Sequence, residues 1–284
     1  LHTMAMNGNR AKRAALRDEI LAKARDRVLL MGILNVTPDS FSDGGRFVDP
    51  REALRQAEAL DVEGADIIDV GGESTRPGAA EVSAEDELAR VLAVIPGLCA
   101  SYSRIVSIDT YKASVAHAAG EAGAVIINDV WGMTRDTGMA QAVAETASAV
   151  VVTYNRGTVQ ADINIADDMR DFFANAFAMA AAAGIPREHV ILDPGVGFGK
   201  TYEQNFTVLA RLDVLMDFDV PVLVGVSRKS FIGRLLDREV DDRLIGTLAA
   251  GLASVQRGAR ILRVHDVGAH ADALKMLKAI DEAG

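Results

Sequence analysis

A (β/α)8 TIM barrel with an additional N-terminal helix is the fold this sequence predicts, and three observations carry the prediction. Short runs of consecutive apolar residues alternate eight times with amphipathic segments of helical period, the pattern of a parallel sheet covered by helices. Nearly every run ends in a polar or charged residue ahead of a loop, the end of the strands where barrel enzymes keep their working side chains. The 284 residues suit one barrel of roughly 250 residues plus a short extension, divided as 1–27 and 28–284.

Each element has its own signal. Residues 11–26 set Leu16, Ile20 and Leu21 at helical spacing among Ala, Arg and Lys, which predicts the N-terminal helix. Residues 28–36 are the first strand, 37–46 a polar loop, and Asp49-Pro50 opens a helix with Ala53, Leu54, Ala57 and Leu60 on one face. Strands two to five are expected at 65–72, 104–109, 125–130 and 149–154, followed by helices at 83–100, 112–122, 138–146 and 167–183. The sixth strand, from Ile191, stops at Asp193 and turns through Pro194, Gly195, Gly197 and Gly199 into a helix over 203–216. The seventh strand spans 221–226 with helical segments over 229–257, and the eighth spans 260–265 ahead of a helix over 269–282. An open doubly wound sheet is the alternative. Its nucleotide-binding forms place a glycine fingerprint after an early strand, where this chain has Thr37-Pro38-Asp39-Ser40-Phe41.

Composition excludes several classes. A net charge of -10 argues against a general nucleic-acid surface, though not against a local anion site. The single cysteine, Cys99, rules out an internal disulfide and a thiolate metal cluster. No apolar run reaches the length of a membrane span and nothing resembles a secretion signal, so no membrane partner and a cytoplasmic location are expected. Gly199-Lys200-Thr201 imitates the end of a phosphate-binding P-loop, but position 194 is proline where that motif needs glycine.

The strand ends supply the candidate site: Asn35, Asp69, Asp109, Asn128, Asp129, Tyr154, Asp193, Ser227, Arg263 and His265. Acids and amides at a barrel mouth suit a flat heterocycle with several N–H donors, because a carboxylate accepts two neighbouring donors and an asparagine both donates and accepts. Arg263 and His265, two apart on one strand, share a face and with Lys229 form a cationic pocket where barrels commonly bind phosphate. The expected ligand has a polar ring at one end and a phosphate or diphosphate at the other. Asp69 and Asp129 fit equally well as caps of their own loops.

Residues 35–45 (Asn-Val-Thr-Pro-Asp-Ser-Phe-Ser-Asp-Gly-Gly) and 71–78 (Gly-Gly-Glu-Ser-Thr-Arg-Pro-Gly) closely resemble the two mobile loops of the dihydropteroate synthases. The resemblance continues through Ser107-Ile108-Asp109-Thr110, Asn128-Asp129-Val130, Leu192-Asp193-Pro194-Gly195 to Phe198, Ser227-Arg228-Lys229 and Arg263-Val264-His265-Asp266-Val267. It implies condensation of 4-aminobenzoate with 6-hydroxymethyl-7,8-dihydropterin pyrophosphate, a step of folate biosynthesis, by a homodimer that sulfonamides inhibit. By the same resemblance Asp109, Asn128, Asp193 and Lys229 hold the pterin, while Arg263, His265 and Asn35 hold pyrophosphate, with Mg2+ near Asn35. Phe41, Thr75, Pro77, Phe198 and Ser227 shape the aminobenzoate pocket, Arg76 orders loop and anion, and Asp43 lies over the site. Strand five departs from the family, which usually carries Met-His where this chain has Thr153-Tyr154. The change removes a thioether expected beside the pterin. A pterin-binding paralogue without this activity, or with another acceptor, and a methyltetrahydrofolate methyltransferase are the competing readings.

Overall fold

Val, Ile and Leu on successive positions give strands that are buried on both faces, and eight of them pair in parallel. They are β1 Leu29–Asn35, β2 Ile67–Gly71, β3 Ile105–Asp109, β4 Ile126–Asp129, β5 Ala149–Thr153, β6 Val190–Asp193, β7 Leu223–Val224 and β8 Ile261–Val264. The computed structural model describes residues 2–37, 49–75, 78–101 and 105–284. The strand order is β6-β5-β4-β3-β2-β1-β8-β7, and a parallel bridge between Leu192 and Val222 joins the two ends, so the sheet is a nearly closed barrel. β7 is shorter than the 221–226 run suggested. Pro221 has no N–H to give the ladder, and its carbonyl instead accepts Leu192 N at 3.0 Å.

Alternation along the strands makes two cores. Leu29, Met31, Ile67, Ile105, Ile126, Ala149, Val151, Ile191, Leu223 and Ile261 fill the barrel interior. Leu30, Leu34, Ile68, Val70, Ile108, Ile127, Val150, Val152, Leu192 and Leu262 face outward to the helices. The helices are α1 His2–Asp26, α2 Pro50–Val62, α3 Ala84–Leu92, α4 Ile95–Ser101, α5 Ala113–Ala122 and α6 Met139–Thr146. They continue with α7 Ile165–Ala182, α8 Tyr202–Ala210, α9 Asp213–Met216, α10 Ser230–Leu236, α11 Leu244–Gln256 and α12 Val267–Asp281.

Helix α1 packs on the N-terminal end of the barrel, where Ile20, Leu21 and Ala24 join the interior cluster. Arg17 Nη1 donates to the Ala147 carbonyl at 2.5 Å, and Arg13 Nη2 pairs with Glu121 Oε1 at 2.8 Å. The single helices expected over 83–100 and 203–216 are each broken in two. In the first, Pro96 falls in the opening turn of α4, a position that tolerates its missing N–H. In the segment over 229–257, Asp237 adopts the left-handed conformation at φ 53° and ends α10.

Candidate active site

Odd positions of β1 and β3 and the matching positions of the other strands point inward, and polar residues occupy them only towards the C-terminal end. That places Asp69, Asp109, Asn128, Asp193 and Arg263 together above the apolar interior. A cavity of about 480 Å³ opens there. Its lining includes Asn35, Thr75, Asp109, Asn128, Asp193, Phe198, Ser227, Lys229, Arg263 and His265, whereas the strand-end candidates Asp69, Asp129 and Tyr154 do not line it. Phe41, Asp43, Arg76 and Pro77 lie outside the described residues.

Arg263 anchors the floor. Its Nε donates to Asp69 Oδ2 at 2.7 Å and its Nη2 to Asp109 Oδ2 at 2.8 Å. Asp69 Oδ2 also accepts Asn128 Nδ2 at 3.0 Å, so this bond uses the Asn128 amide nitrogen and leaves its oxygen as an acceptor. Asp109 Oδ1 is buried with no partner among the described residues. Burial pushes the Asp109 carboxyl up to about 7 against the pull of Arg263. Burial likewise raises Asp193, opposed by Lys229 and by the Gly195 N–H that its Oδ1 accepts at 2.7 Å. Lys229, pushed down to about 8 by burial and drawn up by Asp193, donates from Nζ to the Val196 carbonyl and lies 4.8 Å from the Phe198 ring centroid. Burial works against the Arg263 charge, but Asp69 and Asp109 outweigh it and hold the guanidinium above its ordinary value.

The anion side is tied across β7 and β8. Ser227 Oγ lies 2.8 Å from His265 Nδ1 and accepts the His265 backbone N–H at 3.2 Å. Arg228, at φ 58°, is fixed by Asp266 at 3.1 and 2.7 Å, and Arg243 Nη1 donates to its carbonyl at 2.9 Å. Glu73, Arg228 and Arg243 line the cavity although sequence reasoning did not select them. Glu73 had a signal, an acid directly after Gly71-Gly72 at the end of β2; it accepts Val82 N at 3.2 Å and Tyr111 Oη at 3.0 Å. Arg228 had one in its neighbours Ser227 and Lys229. Arg243 comes from a separate helical segment and had none.

Two strand-end candidates turn out to serve the scaffold. Asp129 accepts the N–H groups of Trp131 at 2.9 Å and Met133 at 2.7 Å, so it caps its own loop. Tyr154 points outward: it is 2% exposed, its hydroxyl bonds Asp168, and its ring lies 5.2 Å from that of Phe172. Thr153 faces inward, with a buried Oγ1 that has no partner among the described residues. Neither residue lines the cavity.

Asn35, the expected Mg2+ neighbour, offers one neutral oxygen at the mouth. No group of three or more His, Cys, Asp or Glu capable of holding a metal occurs among the described residues. This donor set fits an ion carried in by a diphosphate, since Mg2+ keeps several waters and commonly binds through substrate phosphates. No helix among the described residues is long and apolar enough to cross a membrane.

Comparisons with known proteins show the family of the chain. The profile of the pterin binding enzyme family matches residues 31–265. A dihydropteroate synthase of Bacillus subtilis is 44% identical over 260 residues, covering 92% of this chain and 91% of the relative. A crystal structure of a Clostridium difficile dihydropteroate synthase with pteroic acid superposes at a TM-score of 0.87 and 46% identity, covering 89% of this chain and 97% of that one. The Xanthomonas albilineans dihydropteroate synthase with 4-aminobenzoic acid gives 0.86 and 44%, covering 90% and 94%.

Proposed function

This chain belongs to the pterin-binding enzymes, among the dihydropteroate synthases, and we propose that its barrel mouth joins 4-aminobenzoate to 6-hydroxymethyl-7,8-dihydropterin pyrophosphate. The observation that carries the reading is the floor of the cavity. The Asp109 oxygen, the Asn128 carbonyl and the Asp193 carboxylate are acceptors for a donor-rich ring edge, and Lys229 supplies a donor for a ring acceptor.

The Asp109, Asn128, Asp193 and Lys229 side chains orient the ring. Arg263, His265 and Asn35 receive the diphosphate, and Thr75, Phe198 and Ser227 wall the aromatic amine; the family resemblance assigns Phe41, Pro77, Arg76 and Asp43, which lie outside the described residues, to the same site. The bond from the exocyclic CH2 to the diphosphate oxygen breaks, and its electron pair leaves on oxygen. The carboxylates of Asp109 and Asp193 stabilise the positive charge spread over CH2 and ring. The aminobenzoate nitrogen then attacks that carbon and gives up its proton to the departed diphosphate or to solvent. Mg2+, bound beside Asn35, would supply charge neutralisation for the departing diphosphate. Position matters more than basicity for so weak an amine, which is the task of the amine wall.

Tyr154 turns away from the cavity, which removes much of the motive for a non-catalytic reading of strand five. Sulfonamides, which imitate the amine, compete at the Phe198–Ser227 wall. The homodimer reading draws on α11, which turns Thr247, Gly251 and Ser254 to the barrel and leaves Ile245 75% exposed, and on α12, where Met276 and Ile280 are 65% and 60% exposed. A cytoplasmic location fits the same reading.

The test is pyrophosphate release by the purified protein with Mg2+, the pterin substrate and 4-aminobenzoate, with the product identified by mass. Release that requires the amine and vanishes in Asp193→Ala is the expected result. Pterin binding without formation of dihydropteroate would overturn it.

A further inference from the structure

The turn that carries Phe198 is unusually free in its backbone and unusually well bolted. Gly195, Gly197 and Gly199 all adopt positive φ, at 69°, 87° and 56°, where the backbone of any other residue would be strained. Lys200, which closes the turn, spends all three N–H donors on backbone carbonyls: Tyr154 at 2.9 Å, Gly195 at 2.8 Å and Phe198 at 2.9 Å. Its ammonium also lies 4.2 Å from the Tyr154 ring centroid. Burial pushes this ammonium down to about 7, so it keeps its proton only against good acceptors, which these carbonyls are.

We propose that Lys200 is a positioning residue for the amine half of the site, fastening the Phe198 turn to the end of β5; this rests on the reading of the cavity given above. Lys200 does not itself line the cavity. The pterin side shares Gly195 with this fastening, since Asp193 Oδ1 accepts its N–H at 2.7 Å, but Asp193 is also held by the β5–β6 ladder opposite Thr153, and Lys229 starts a different helix. Without Lys200, Phe198 keeps its N–H bond to the Gly195 carbonyl at 3.0 Å and the Lys229 ammonium 4.8 Å from its ring, and its neighbour Gly197 donates to Asn205 Oδ1 at 2.7 Å, but its own carbonyl loses its lysine donor. Removing the ammonium therefore loosens the aromatic wall while the ring acceptors on the strands stay in place.

The experiment is Lys200→Met, with kinetics in both substrates and calorimetric titration of 4-aminobenzoate into protein holding the hydroxymethylpterin and inorganic pyrophosphate. The KM and dissociation constant for the amine should rise about tenfold or more, with the pterin dissociation constant and kcat at saturating amine within about threefold of the parent. An unchanged amine constant, or amine and pterin constants rising by the same factor, would overturn the proposal. Should Lys200→Met not fold, Lys200→Gln, which reaches two carbonyls through its amide, carries the same selective effect in smaller measure. A parent that binds both ligands but releases no pyrophosphate sinks the reaction and leaves the amine-selective titration to decide on Lys200.

Discussion

One fully buried carboxylate, Asp69, organises the cavity floor although it is absent from the lining. Its Oδ2 receives both Arg263 and Asn128, so Asp69→Ala leaves Arg263 Nε and the Asn128 amide without their acceptor and the guanidinium with Asp109 alone. Loss of one partner of a buried pair costs about 3–5 kcal/mol, and chemical denaturation should read that drop together with weaker pterin binding in titration. The Asp109 carboxyl sits at about 7 in the folded protein, above the ordinary 3.8. A raised carboxyl favours the folded state at low pH, so this group's contribution to stability is present near pH 4 and is lost as pH rises through about 7. With Asp109 in its proposed role of ring acceptor, pterin affinity should move the other way and fall as pH drops through about 7. Thermal unfolding and calorimetry across pH 5–8 check the two opposed trends, and Asp109→Asn should flatten both. A third residue-scale prediction concerns Gly195, where an added Cβ would stand 2.0 Å from the Tyr154 carbonyl oxygen. Gly195→Ala should cost about 2 kcal/mol or more of stability, measured by denaturant midpoint, through overpacking and strained φ.

Among the elements, α1 does the most for a segment outside the barrel sequence. It covers the floor of the strands with Ile20, Leu21 and Ala24, side chains that meet Leu29, Met31 and Ile67. Ile20→Ala is expected to lower stability by about 2–4 kcal/mol while leaving the pterin dissociation constant unchanged, because the cavity is at the other end of the barrel. Equilibrium denaturation and titration on the same preparation test the pair. The β6 turn behaves differently, since its side chains reach the cavity and its backbone needs an ammonium to hold it.

At the scale of the molecule, the proposed homodimer is tested at the exposed apolar face of α11. Ile245→Asp should shift the protein from dimer to monomer in sedimentation equilibrium, with little change in the fold of each barrel. Eight strands, their order along the chain and the end that carries the chemistry follow from local pattern, since apolar runs and terminal acids depend on no distant residue. Ten site residues found by that rule and by family resemblance line one cavity. Local pattern could not separate Asp69, which holds Arg263, from Asp129, which caps a loop, because both are acids at strand ends. It could not turn Tyr154 outward either, nor bring Arg243 to the cavity.

The sequence by itself determined the repeating unit, the polar rim and the family. Only the tertiary structure decided the partners: that one carboxylate orients both Arg263 and Asn128, that Lys200 gathers carbonyls from two strand ends, and that α1 closes the barrel floor. The physical reason is distance along the chain. Burial and periodicity are read from neighbours in sequence, whereas a hydrogen bond between positions 69 and 263 exists only after the barrel has closed.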